Sequence, residues 1–164
     1  MKIAFYGSSL VSSYWNGAAT YYRGILRDLA QRGYQISFYE PDAFDRQKHR
    51  DIDAPDWARS VVYPATEEAM RGVLAEAADA DVVVKANGVG VFDRELLEGI
   101  VEHARPGALK IFWDVDAAAT LDEMRADEDH PVRRALPDLD AVFTYGGGPP
   151  VVNAYKSFGA ADCV

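Results

Sequence analysis

Short, continuous apolar runs alternate along this chain with segments whose apolar residues recur at helical spacing, and no other feature restricts the fold as much. Asp81-Val82-Val83-Val84-Lys85-Ala86 is the clearest run: consecutive valines leave neither face of a strand for water, so both faces must be covered. Lys2 to Tyr6, Tyr34 to Glu40, Leu109 to Trp113 and Asp140 to Tyr145 read the same way, with a weaker strand at Ser60 to Tyr63 and the start of another at Ala161 to Val164. Between them lie amphipathic stripes: Ala18, Tyr22, Ile25, Leu26 and Leu29; Met70, Val73, Leu74 and Ala77; Leu96, Leu97, Ile100, Val101 and Ala104. This order predicts a doubly wound, mainly parallel sheet of six or seven strands in a Rossmann-like three-layer α/β/α sandwich. A length of 164 residues suits one such domain and is short for two.

Local signals punctuate the helices. Gly33 and Gly159 stand where C′ glycines end helices, Thr66 with Glu67 and Glu68 opens one, Asp93 is placed to cap another, and Thr120-Leu121-Asp122-Glu123 fits a capping box. Arg105-Pro106-Gly107 ends the third helix, Pro131 and Pro137 break the segment after the fourth, and Gly146-Gly147-Gly148-Pro149-Pro150 leads into the last. Pro41 to Arg59 is too polar for a core and long for a connection, and reads as a solvated, mobile loop that a ligand could order. Val164, apolar and at the start of a strand, reads as a cut or a domain boundary.

Charge and composition narrow the partners. Against 17 basic residues stand 26 acidic ones, and a net charge of −9 repels phosphate backbones and anionic membranes, so neither nucleic acid nor a membrane is expected as a main partner. One cysteine, Cys163, and three scattered histidines, His49, His103 and His130, supply neither an internal disulfide nor a metal set. The start Met1-Lys2-Ile3 carries no secretory or spanning run, which makes the cytoplasm the expected location.

Open parallel sheets bind ligands beyond the carboxyl ends of their strands, and five of these ends carry unusual residues. Strand one continues through Gly7, Ser8, Ser9, Tyr14, Trp15, Asn16 and Gly17, which offer amides, hydroxyls and an aromatic platform to a sugar or phosphate; the alternative is a polar loop with Trp15 tucked into the core. Lys85, Asn87 and Gly88 end the valine strand, either as ligand contacts or as a snorkelling lysine followed by a turn. Asp114 and Asp116 end the next, suited to take a proton from a hydroxyl nucleophile or, equally, to cap a helix; four other D-x-D pairs in so acidic a chain make the spacing itself uninformative. Gly146 and Gly147 let amides approach an anion but lack the lysine of a phosphate loop. No G-x-G-x-x-G follows strand one, so only Glu40 at the end of strand two keeps a dinucleotide reading alive, and no G-x-S-x-G elbow is present.

Taken in order, Lys2-Ile3-Ala4-Phe5-Tyr6-Gly7, Trp15-Asn16-Gly17-Ala18-Ala19-Thr20-Tyr21-Tyr22-Arg23-Gly24, Val82 to Gly88, Phe112-Trp113-Asp114-Val115-Asp116 and Tyr145-Gly146-Gly147-Gly148 resemble the amino-terminal half of a GT-B glycosyltransferase of the CgeB-like, spore-maturation-protein-B kind. The resemblance covers nearly the whole chain. It implies a two-domain enzyme whose amino-terminal half, residues 1–164 here, binds the acceptor, while a carboxyl-terminal half, missing from this sequence, holds the nucleotide-sugar donor. It also implies that no metal or other cofactor is needed, and that Gly7 to Gly17, Lys85 to Gly88, Asp114 and Asp116 line the cleft between the halves. The leading expectation is therefore glycosyl transfer from a nucleotide sugar to a small-molecule or glycan acceptor, with the isolated fragment inactive. A non-catalytic nucleotide- or sugar-binding module is the alternative, followed by an NAD-dependent oxidoreductase resting on Glu40.

Overall fold

The computed structural model describes residues 1–164. Six strands, β1 (Lys2–Tyr6), β2 (Gln35–Asp42), β3 (Ala58–Pro64), β4 (Val82–Ala86), β5 (Leu109–Asp114) and β6 (Ala141–Thr144), form one sheet in the order β3-β2-β1-β4-β5-β6. Every pairing is parallel, as the two-sided burial of β4 demands. Six helices flank it: α1 (Ala18–Gln31), α2 (Glu67–Glu76), α3 (Asp93–His103), α4 (Ala117–Ala126), the short α5 (Pro131–Ala135) and α6 (Gly148–Ser157).

Right-handed crossovers explain how the helices are shared out. The step from β1 to β2 runs one way across the sheet, while those from β3 to β4, β4 to β5 and β5 to β6 run the other. Tyr22 and Leu26 of α1 accordingly pack with Phe5, Phe38, Val84 and Trp113 on one face. Residues of α2 to α6, including Leu74, Leu97, Met124, Val132 and Tyr155, pack with Tyr6, Val83 and Phe112 on the opposite face. The strand order reverses between β1 and β4, and the loops leaving these two strands bound the crevice there.

Several local expectations are corrected. Pro41 to Arg59 is no free loop: β2 runs on to Asp42, a 3-10 turn covers Arg46–His49, β3 begins at Ala58, and Arg46 is buried. Asp93 is the first residue of α3 and not its cap; Phe92, at φ 57°, holds that place. Thr120 lies inside α4, whose cap is Asp116, because the Thr120 hydroxyl is drawn to Asp114 and to the Asp116 carbonyl. Pro131 opens α5, where its missing N–H costs nothing. At the carboxyl end, Cys163 pairs with Val142 as a single parallel bridge, flanked by hydrogen bonds from Val142 N to Asp162 O and from Thr144 N to Val164 O, so this segment lies alongside β6 without adding a strand to the six.

Candidate functional site

The loop after β1 is built from its own polar side chains. Ser8 Oγ donates to Asn16 Oδ1 at 2.7 Å, and Asn16 Nδ2 donates to the carbonyls of Ser9 and Ser12 at 2.9 and 3.0 Å. Ser9 Oγ donates to Glu40 at 3.0 Å, and Ser12 Oγ to the His49 carbonyl at 2.8 Å. Ser8, Ser9 and Asn16 are buried, so the structure gives these three side chains the task of shaping the loop and not of facing a ligand. Gly7 is likewise structural: a methyl there would stand 2.5 Å from Cζ of Phe38. Gly17 precedes α1 in helical conformation with open space around it.

The rigid loop projects its aromatics outward. Trp15, at φ 47°, is 86% exposed, contrary to the alternative of a core residue, and Tyr14 beside it stacks on His49 with ring centroids 4.0 Å apart. A second aromatic group lies at the β5–β6 end of the rim. Tyr21, in the first turn of α1, packs against Tyr145 at 4.6 Å and edge-on to Trp113 at 5.9 Å; Tyr21 and Tyr145 are both exposed.

Beside Tyr145 a cavity of about 240 Å³ opens between the N-termini of α4 and α6, lined by Asp114, Asp116, Gly146, Gly147 and Val151. Gly146 and Gly147, at φ 146° and 82°, turn the chain from β6 into α6, and Val151 fills the space a side chain on Gly147 would need. The two acids differ sharply. Asp114 is 1% exposed: Oδ1 accepts from Asn87 Nδ2 at 3.1 Å, Thr120 Oγ1 at 3.1 Å and the Asp116 amide at 2.9 Å, while Oδ2 accepts from the Tyr155 hydroxyl. Desolvation and the Asp114 charge push the Tyr155 hydroxyl far above its ordinary value, so it stays a donor. Asp114 is thus saturated and rigid. Asp116 is exposed, and only its Oδ1 is engaged, by the Ala119 amide at 3.4 Å.

Asn87, with Gly88 in the left-handed region after it, faces the Asp114 network, and Lys85 is buried on the helix-rich face against Asp93. Neither joins the Tyr145 cavity. Glu40, on which a dinucleotide reading depends, is fully buried and accepts from Ser9 Oγ, the Leu10 amide and Gln47 Nε2, so both its oxygens serve the adjoining loops and neither is exposed to a ribose. In the sequence Arg46 and Tyr155 carry no functional signal, Tyr21 shows only as an aromatic one position off the apolar stripe of α1, and Thr120 reads as a helix cap. No three His, Cys, Asp or Glu side chains are grouped to hold a metal ion, and no helix is long and apolar enough to cross a membrane.

Solved structures share this architecture. An alpha-glucosyltransferase in complex with UDP and a 13-mer DNA containing a central A:G mismatch superposes at a TM-score of 0.54 with 13% identity, over 88% of this chain and 37% of that one. The same kind of enzyme with UDP and a 13-mer DNA containing an HMU base gives 0.54 at 10% identity, and with UDP-glucose and DNA containing an abasic site 0.55 at 10% identity, each over 99% of this chain and 41% of the other. The chain spans about two fifths of the length of these structures. No family model and no curated protein matches it. At such identities the likeness is one of fold, a Rossmann-like α/β sandwich with a parallel sheet, and it does not reach the CgeB-like family.

Proposed function

We propose that this chain is the acceptor-side domain of a GT-B glycosyltransferase that moves a sugar from a nucleotide-diphosphate donor to a hydroxyl. The observation that carries the reading is the placing of exposed aromatics, Trp15 with Tyr14 and Tyr21 with Tyr145, at the carboxyl ends of the strands, the second pair beside a cavity that holds a free carboxylate, Asp116. Aromatic faces suit the C–H faces of sugar rings, and hydroxyls need an acceptor within reach. In this reading the acceptor hydroxyl attacks the anomeric carbon as the bond to the diphosphate breaks, and its proton passes to Asp116. Asp114 acts through Asp116, holding that residue's amide. Stabilisation of the leaving diphosphate falls to the donor-side domain. The solved glucosyltransferases contain DNA, but a net charge of −9 repels a phosphate backbone, which favours a small-molecule or glycan acceptor here.

Titration of the 164-residue chain with methyl glycosides and with UDP-glucose, followed by tryptophan fluorescence and amide chemical shifts, tests the reading. Glycosides are expected to perturb Trp15 and Tyr145 while UDP-glucose binds weakly. Tight one-to-one binding of UDP-glucose would instead identify a nucleotide-sugar-binding module, and silence from every glycoside in a broad panel would retire the acceptor role.

A further inference from the structure

A second cavity, of about 250 Å³, lies on the helix-rich face behind the Asp114 network, enclosed by β4, α3, α4 and the start of α5. Asn87 and Thr120, both bonded to Asp114, line this cavity and not the one at Tyr145. Lys85 lines it as well, with its side chain 2% exposed. Holding an ammonium this far from water costs desolvation that a hydrophobic side chain would avoid. Of its three N–H donors, Asp93 takes one, and no other protein acceptor is within hydrogen-bond distance. Asp93 is itself fixed by the amides of Val89 and Gly90 at 3.3 and 2.8 Å, so the other two donors stay unmatched. His130 has the opposite want. Its Nε2 faces Glu123 at 3.2 Å, and opposite a carboxylate this is the nitrogen that carries the proton. Nδ1 is then an acceptor, buried and without a donor.

The charges around the cavity cancel. Lys85 and Arg94 stand against Asp93 and Glu123, with His130 neutral, so the lining draws neither an anion nor a cation. A zwitterion fares no better, because Asp93 is committed to Lys85 and two amides while Glu123 is 67% exposed, where water screens its pull on an ammonium. What the cavity offers is buried hydrogen-bonding capacity of both senses, in the two free N–H donors of Lys85 and the acceptor Nδ1 of His130. A hydroxyl both donates and accepts, and several on one carbon frame answer both wants without bringing charge. Leu97, Phe112 and Val132 complete the lining with apolar surface for the C–H groups of such a frame. We infer that this cavity binds a small, neutral polyhydroxylated molecule of monosaccharide or cyclitol size, whose hydroxyls donate to His130 Nδ1 and accept from Lys85 Nζ. A volume just below that of pockets for drug-sized ligands fits a molecule this small. The site lies apart from the cavity at Tyr145 and does not rest on the glycosyl-transfer reading.

Amide-shift titration of the full chain with glucose, xylose, myo-inositol and glycerol, alongside the zwitterion alanine and inorganic phosphate as charged controls, tests the inference. Saturable shifts in Lys85 to Arg94 and Thr120 to Val132 are expected from at least one neutral polyol, unchanged by added salt, and none from alanine or phosphate at the same concentrations. His130 precedes α5 without a side-chain cap bond, so His130→Phe leaves that helix alone while removing the acceptor, and should weaken binding about tenfold. Lys85→Met should weaken it at least as much in protein whose amide spectrum shows it folded. Absence of saturable shifts from all four polyols, equal binding of alanine or phosphate, or unchanged affinity in His130→Phe would each overturn it. Shifts confined to Trp15 and to Tyr145 to Val151 would overturn it too while supporting the acceptor role, so the two readings fail separately.

Discussion

Arg46 Nη1 donates to the carbonyl oxygens of both Ser8 and Val89, at 3.2 and 2.9 Å, and thereby ties the connection after β2 across the crevice between the loops that leave β1 and β4. This is the place where the strand order reverses and where dinucleotide-binding sheets seat their ligand. Here the protein fills it. The Phe44 ring lies against Gly90, where a Cβ would meet it at 2.6 Å, and the Arg46 guanidinium sits 4.9 Å from the centroid of the same ring.

Arg46→Met tests that tie. The substitution keeps most of the side-chain volume but strips two buried carbonyls of their donor, and each orphaned acceptor costs about 1–3 kcal/mol. A loss of roughly 2–4 kcal/mol in denaturant unfolding is expected, together with faster amide exchange in the Val89–Gly90 turn. A change within about 0.5 kcal/mol, the range of ordinary surface substitutions, would show that the tie contributes nothing.

The same residue shows where sequence reasoning reaches its limit. The sheet was legible because burial on both faces writes itself as consecutive apolar residues, as in Val82 to Val84, and α1 because its stripe keeps helical period. Arg46 lies in a run of Asp, Arg, Lys and His whose composition says only that water is nearby; that Ser8 and Val89 need a donor is a fact about two loops distant in sequence. Thr120 illustrates the converse. Its T-x-x-E spacing satisfies a local rule, but Asp116 caps α4 and the Thr120 hydroxyl answers to the buried Asp114. At the rim, the aromatic pair Tyr14 and Trp15 was legible, while the burial of Asp114 beside an exposed Asp116 was not, because it depends on Tyr155, 41 positions along the chain.

Tyr155→Phe removes one donor from a carboxylate that is 1% exposed. A loss of about 1–3 kcal/mol is expected. Combined with Asp114→Asn, the effect should be smaller than the sum of the two single changes, since both act on one interaction. Additive losses in a double-mutant cycle would show that the hydroxyl and the carboxylate do not act as a pair.

Two glycines respond in opposite directions. Gly7→Ala drives a methyl into the Phe38 ring, which cannot retreat because it stacks on Phe5 with centroids 5.2 Å apart; overpacking of this kind costs about 1–3 kcal/mol. Gly24, exposed in the middle of α1 with nothing within 4 Å of the added carbon, should gain roughly 0.5–1 kcal/mol as alanine. Thermal unfolding of the two variants checks the pair, and a common sign would contradict the packing described.

Alkali should unfold this protein through its buried tyrosines. Burial raises the hydroxyls of Tyr6, Tyr22, Tyr63 and Tyr155 above their ordinary value of 10.0. In the unfolded chain these groups ionise first, so the folded state binds more protons, and the stability they contribute is whole below pH 10.0 and is lost as pH rises toward the folded values. Unfolding free energy measured against pH should therefore fall above that point, with phenolate absorbance from these four rings rising together with loss of the fold. Their ionisation in a chain that stays folded would contradict the burial.

Asp116 separates its two roles by choice of substitution. As the cap of α4 it accepts from the Ala119 amide, a task asparagine performs equally well and alanine not at all; Asp116→Ala should cost about 0.5–2 kcal/mol while Asp116→Asn leaves stability near that of the parent. As the proton acceptor of the proposed glycosyl transfer it would need its charge, which asparagine lacks. In a protein carrying both the acceptor and donor domains, Asp116→Asn should lower turnover by about 10²-fold or more with unfolding unchanged. Full turnover in that variant would reassign the proton to another group, and equal damage from Asn and Ala to stability would show that the charge, and not the cap hydrogen bond, is what the position supplies to the fold.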